Sequence, residues 1–287
     1  MQTKWIYMPI LKWKQGEQMA LRYLTEQQWD GVTPMLKLPP INSAPDASSL
    51  KIELPNYLNK IVEQIKKNIP EDTAVCIDSE YVSLGYEKQL ALLLLICNSL
   101  QKNLNHQIIP AIQSPLLESL PTLSSIFSGY LHSVEDVVIC FRTDQIAPTQ
   151  IAPAILALTK YGIKKREIHL LIDQYSLVGS DHRTCYSNIK PYLDDGVAIG
   201  CASVTVGGGS FPINLMGYKQ GVTDIPRVEW LVWSLIQQSG DYTDLRYADY
   251  TVTNPAPQPD IDPTQVNPSV AIRYAANQFW KLYKAKG

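Results

Sequence analysis

Apolar and β-branched residues come in short runs along this chain, each ending on a polar residue and each separated from the next by a stretch with helical spacing. Eight runs can be read: Trp5 to Leu11, Val32 to Leu36, Thr73 to Ile77, Gln107 to Ile112, Asp136 to Phe141, Glu167 to Ile172, Gly196 to Ala202 and Tyr247 to Val252. Between them, helices are expected near 16–28, 55–68, 87–103, 120–132, 151–161, 184–193 and 226–238. Their apolar residues recur at helical intervals, as in Leu58, Ile61, Val62 and Ile65, which gives one face to bury against a sheet.

Strands that are nearly all apolar belong to a parallel sheet covered on both faces. Eight strand and helix units in 287 residues therefore predict an α/β fold, a single (β/α)8 TIM-like barrel forming one domain over 1–287. A doubly wound open sheet is the alternative. Two Pro-rich stretches, near 39–54 and 254–268, are expected to be loops. The segment Ser269 to Tyr283 has Ile272, Ala276, Phe279 and Trp280 at helical spacing and is read as a closing helix.

Charge narrows the function. A formal net charge of -2 and a pI near 6.1 give no basic field to collect nucleic acid, so any anion site must be local. The five cysteines, Cys76, Cys97, Cys140, Cys185 and Cys201, form no C-x-x-C pair and lie mostly in apolar runs, which suits reduced core residues in a cytoplasmic protein. The longest apolar run, Leu90 to Cys97, is too short to span a bilayer, so no membrane partner is expected.

In a parallel barrel the C-terminal strand ends and the loops after them build the site. Those ends supply Lys12, Lys14 and Glu17, then Lys37, Asp78 with Glu80, Gln113, Arg142 with Asp144, and Asp173. Next come Ser203 with Thr205, and finally Thr251, Thr253 and Asn254. Cations and carboxylates converging on one face are costly to crowd together without partners or a ligand. Asp78 and Asp173 are the candidate catalytic acid and base, the alternative being that each neutralises Lys12, Lys37 or Arg142. Gly207, Gly208 and Gly209 are read as a loop after the seventh strand, open to a phosphate or simply flexible. The four histidines are scattered and no metal site is expected. No cofactor can be named.

The opening Tyr7-Met8-Pro9-Ile10-Leu11-Lys12-Trp13-Lys14-Gln15-Gly16-Glu17 resembles the start of the beta protein family of phages and bacteria. Val32 to Lys37 resembles that family's second strand, except that an acidic residue is more usual where Lys37 stands. Ala248-Asp249-Tyr250 before Asn254-Pro255, and Arg273-Tyr274 before Trp280, resemble its late motifs. The resemblance implies a barrel, a setting in phage and host conflict, and Asp249 and Arg273 among the site positions. It carries no catalytic activity, and it implies a form shortened at Gly287. The physical reading of the first motif is that Lys12 and Lys14 present charge while Glu17 opens the following helix.

The expectation is a barrel that binds an anionic small molecule, phosphorylated or nucleotide-like, and hydrolyses or transfers it. Lys12, Lys14, Lys37 and Arg142 would hold the charge. The alternative is a non-enzymatic interaction protein of a phage defence or counter-defence system, in which the same charges meet a protein partner.

Overall fold

The computed structural model describes residues 5–41, 47–81, 86–119, 121, 134–257 and 271–285, with the backbone alone at 47–52 and 86–87. Its centre is a closed barrel of eight parallel strands. They are β1 (Tyr7–Leu11), β2 (Met35–Lys37), β3 (Ala74–Asp78), β4 (Gln107–Gln113), β5 (Val137–Arg142), β6 (Ile168–Ser176), β7 (Ser203–Gly209) and, beyond an outlying strand β8 (Gly221–Pro226), β9 (Leu245–Asp249). Closure is made where β9 pairs with β1, Tyr7 opposite Tyr247 and Met8 opposite Ala248.

Residues two apart share a strand face, and that parity sorts each strand into a lumen side and a helix side. Met8, Ile10, Met35, Cys76, Ala111, Val138, Cys140, Leu171 and Ala248 form the buried cluster of the lumen. Leu11, Leu36, Ile77, Ile139, Phe141, Leu170 and Ile172 belong to the larger cluster with Ile61, Ile65, Leu93, Ile155, Ile189 and Val232 from the surrounding helices. Burial on both faces is why the strands read as unbroken apolar runs.

The helices among the described residues are α1 (Gln15–Arg22), α2 (Glu26–Trp29), α3 (Ala47–Asn68), α4 (Tyr86–Asn103), α5 (Ile151–Lys160), α6 (His182–Ile199) and α7 (Val228–Ser239). The single helix expected over 16–28 is two, because Thr25 accepts from the Gln28 N–H and starts a new one. Part of the stretch 39–54 expected as a loop is helical from Ala47 on. The helix expected over 120–132 lies outside the described residues apart from 121, as does 258–268 of the second Pro-rich stretch.

Two elements differ in kind. The expected strand Gly196 to Ala202 is the last turn of α6 and its exit: Gly200 at φ 72 ends the helix as a left-handed cap. The Val197-Ala198-Ile199 run mimics a strand because its β-branched residues sit in that final turn. The seventh strand is Ser203–Gly209, so Gly207, Gly208 and Gly209 are strand residues, not a loop.

The expected closing helix of Ser269 to Tyr283 is instead a hairpin, β10 (Ala271–Ala276) and β11 (Phe279–Lys284), which joins β8 in an antiparallel sheet of order β10-β11-β8. Asn277, at φ 49, supplies the left-handed turn residue. Period two wins over the helical spacing because Trp280 and Leu282 bury together with Phe211 and Ile225. Because β8 lies in the connection from β7 to α7, this accessory sheet stands at the C-terminal end of the barrel.

Candidate functional site

At six of the eight strand ends, the inward residue two positions beyond the apolar lumen is charged, an amide or a tyrosine. After Met35, Cys76, Ala111, Cys140, Leu171 and Ala248 come Lys37, Asp78, Gln113, Arg142, Asp173 and Tyr250. The strand register puts Lys37 beside Asp78, and Arg142 beside Asp173 beside Gly207. One change of polarity, repeated around the ring, turns the top of a hydrophobic lumen into a polar mouth.

Within the mouth the charges are joined. Lys37 Nζ is 2.9 Å from Asp78 and also meets the Glu80 carboxylate, while Gln113 Nε2 donates to the same Asp78 oxygen at 2.9 Å. Glu80 passes the connection to Arg142 at 3.3 Å, and Arg142 closes on Asp144 at 2.7 Å. The guanidinium lies over the Tyr175 ring, 3.5 Å from its centroid, and Lys37 lies between the rings of Tyr81 and Tyr250, 5.7 Å from each.

Asp173 stands apart from this chain of ion pairs. It is 3% exposed and accepts from the Tyr250 hydroxyl at 2.5 Å and from the Tyr175 N–H at 2.8 Å. Among the described residues no cation reaches ion-pair distance of it. Tyr175 holds a left-handed φ of 57 at the bulge between Asp173 and Ser176, so the backbone is bent to deliver that N–H. The same local turn recurs at Asp78 with the Glu80 N–H, 2.8 Å, and at Asp249 with the Thr251 N–H, 3.0 Å.

Burial raises the Asp173 carboxyl above the usual carboxylate range, only partly opposed by the Tyr250 hydroxyl and the charge of Lys37. Burial also raises Asp78 despite Lys37. At Glu80 burial is outweighed by Lys37 and Arg142, and the carboxyl is lowered. Lys37 is desolvated, yet its carboxylate neighbours keep it firmly protonated.

Lys12 reaches the mouth from β1, donates to the Ala256 carbonyl, and has no carboxylate at ion-pair distance among the described residues. Burial, helped by Lys14, lowers it to about 8.

The remaining expected positions are elsewhere. Lys14 is exposed at the start of α1, where its N–H donates to Glu17 at 3.0 Å, so Glu17 closes a helix turn. Asp249 points outward, held by the hydroxyls of Tyr7 and Tyr247 and by Arg227 at 3.2 Å. Arg273 is on β10, donating to the Val252 carbonyl beside the Phe211 ring. The glycines of β7 serve close approach: a Cβ on Gly207 would meet Leu171 at 3.1 Å with Asp173 behind it, and one on Gly209 would meet Pro255 and Tyr250 at 3.0 Å.

The expectation missed Tyr81 and Tyr175 as mouth residues, had Tyr250 only as part of a family motif, and read Glu80 beside Asp78 without its bridging part. The inward parity that picks out Asp173 also picks out Tyr250, two beyond Ala248; Glu80 and Tyr81 follow Asp78 in a turn that no periodicity marks. Among the described residues no three His, Cys, Asp or Glu side chains are grouped to hold a metal ion, and no helix is long and apolar enough to cross a membrane.

A family model described as Beta protein matches residues 7–287. The chain belongs to the beta protein family. No curated protein matches it. Solved barrels resemble it distantly. A family GH18 chitinase catalytic domain from the fern Peteris ryukyuensis shares 13% identity at TM-score 0.45, covering 72% of this chain and 83% of that one. The Pseudomonas stutzeri endoglucanase Cel5A shares 8% at TM-score 0.41, covering 85% and 84%. The Paramecium bursaria Chlorella virus arginine decarboxylase shares 8% at TM-score 0.43, covering 85% and 57%. At this distance nothing about activity passes from those proteins to this member of the beta protein family.

Proposed function

We propose that the barrel mouth is an active site for acid and base chemistry, of the hydrolase or transferase kind, on a small molecule carrying an anionic group such as a phosphate. The observation that carries this reading is Asp173: a carboxyl 3% exposed, raised by burial, with no cation paired to it among the described residues, and aimed by a tyrosine hydroxyl and a bent backbone. A carboxyl in that state can hold a proton nearer neutrality than a free one and give it up to a leaving group. Asp78 is less suited, since a cation, Lys37, pairs with it at 2.9 Å. Lys37 and Arg142 likewise face carboxylates, so the ligand's charge falls to Lys12, and the rings of Tyr81, Tyr175 and Tyr250 form the walls.

The test is a thermal-shift screen of the full chain against nucleotides, sugar phosphates and unphosphorylated sugars, followed by product analysis. A ligand at about a hundred times its Kd adds about 2.7 kcal/mol, a shift of roughly several degrees. The expected hit is a phosphorylated compound whose shift is lost in Lys12→Ala, with Asp173→Asn still binding it but forming no product. A shift that survives Lys12→Ala overturns the assignment of the anion.

A second reading, a non-enzymatic interaction protein meeting a protein partner in phage and host conflict, is favoured by the accessory sheet. Ile272, Tyr283 and Val222 lie opposite one another across its three strands, and all are exposed. Under that reading Tyr283→Lys abolishes function while Asp173→Asn leaves it intact.

A further inference from the structure

The opposite end of the barrel carries a second cluster that the mouth chemistry does not use. Two inward positions below the apolar lumen, at its N-terminal floor, stand His169 before Leu171 and Arg246 before Ala248, with Ser203 abreast of His169 and Thr205 abreast of Arg246. His169 Nδ1 lies 2.8 Å from Ser203 Oγ and Nε2 lies 3.0 Å from Asp136, which also accepts from Gln107 at 2.7 Å. Those three side chains satisfy one another.

Arg246 is different. Its guanidinium stacks on the Trp5 ring, 4.4 Å from the centroid, and Nη1 is buried with no hydrogen-bond partner; no ion pair to it occurs among the described residues. Trp5 Nε1, on a residue 2% exposed, and Thr205 Oγ1, on a residue 1% exposed, are also without partners. Buried donors left in this state are costly unless something accepts from them, the guanidinium most of all. Arg246, Trp5, His169 and Ser203 face a cavity of about 670 Å³, a size that suits a small organic ligand, with Asp241, paired to Lys190, and Asp244 at its exposed edge. Its rim is apolar on one side, where Ile6 and Val197 are 69% and 48% exposed.

We propose that this floor cavity binds a small organic carboxylate, its carboxylate on Arg246 and its apolar body against Ile6 and Val197. The planar guanidinium offers a fork for two carboxylate oxygens, and the Trp5 ring it lies over backs it on one side. The site lies at the end of the barrel away from the mouth, so it stands or falls independently of the acid and base reading.

Benzoate is the probe, titrated into the full chain by calorimetry, with acetate and benzylamine as comparisons. Saturable benzoate binding is expected, tighter than acetate, with no binding of benzylamine. Arg246→Gln should weaken benzoate by about tenfold or more, the loss of one charge-assisted contact. Val197→Asp, on the exposed rim of α6, should weaken benzoate while leaving the melting temperature near wild type, and it decides the matter if Arg246→Gln does not fold. Benzylamine binding as well as benzoate, acetate binding as well as benzoate, no saturation, or full affinity in a folded Arg246→Gln would each overturn the proposal.

Discussion

The mouth and the floor of the barrel are built by the same step, a polar residue two positions beyond an apolar lumen residue, yet they reach opposite electrostatic states. In the mouth, Lys37 and Arg142 are tied together through Glu80, and every member of that chain has a partner. At the floor, His169 is satisfied by Asp136 and Ser203, while Arg246 rests on Trp5 with a buried donor unmatched. Ion pairs with all partners present hold the mouth in one geometry. What the mouth offers a ligand is the residue outside that chain, Asp173, whereas what the floor offers is the group that has none.

The comparison breaks most visibly at Lys37. Lys37→Met leaves Asp78, 1% exposed, and Glu80 without their shared cation, and is expected to cost about 3–5 kcal/mol in urea unfolding. Adding Asp78→Leu should recover a large part of that loss, because the penalty is an uncompensated buried charge. If Lys37→Met alone costs under about 1 kcal/mol, the mouth is not held by its ion pairs.

A smaller effect separates packing from ligand binding in β7. Gly209→Ala places a methyl 3.0 Å from Pro255 and Tyr250 and is expected to destabilise by about 1–3 kcal/mol. Unchanged stability, combined with lost ligand binding, would restore the phosphate-loop reading of these glycines.

Titration distinguishes the two ends by sign. Asp173 is raised in the folded protein, so above the unfolded carboxylate value of about 3.9 the native state keeps a proton the unfolded chain has lost, and stability falls as pH rises through that window. His169 is lowered by burial despite Asp136, so below about 6.5 the unfolded chain takes up a proton first, and stability falls as pH falls. Each contributes a slope of at most about 1.4 kcal/mol per pH unit. Relative to wild type, Asp173→Asn should flatten the loss on raising pH and His169→Gln the loss on lowering it, read from urea midpoints across the range.

The barrel was legible because its strands are buried on both faces and so stand out as apolar runs against helical periodicity. Seven of those runs overlap barrel strands; the remaining one, Gly196 to Ala202, failed where Val197 and Ile199 sit in a helical turn and only Gly200 signals the stop. The hairpin Ala271–Lys284 was hidden because Ile272, Ala276, Phe279 and Trp280 fit a helix as well as alternate strand faces. Strand ends located Lys37, Asp78, Arg142 and Asp173, whereas Asp249, which came from the family resemblance, faces outward to Arg227. Ion-pair partners such as Glu80 come from turns whose course the sequence does not encode by any period.

Thr205 gives the smallest and most discriminating effect, because its sign is at issue. Its hydroxyl is buried without a partner, between Leu171 and Arg246 in the register, so the folded protein bears a desolvation cost that a methyl would not incur. In ligand-free protein Thr205→Val is therefore expected to be neutral or stabilising by up to about 1 kcal/mol, against the loss usual for a core substitution. Ser203→Ala, which strips His169 of a partner at 2.8 Å, should instead destabilise by about 1 kcal/mol. Two hydroxyls on the same strand would then differ in sign because one is used by the fold and the other is not. Equal losses at both positions would mean that the Thr205 hydroxyl is used by the fold as well.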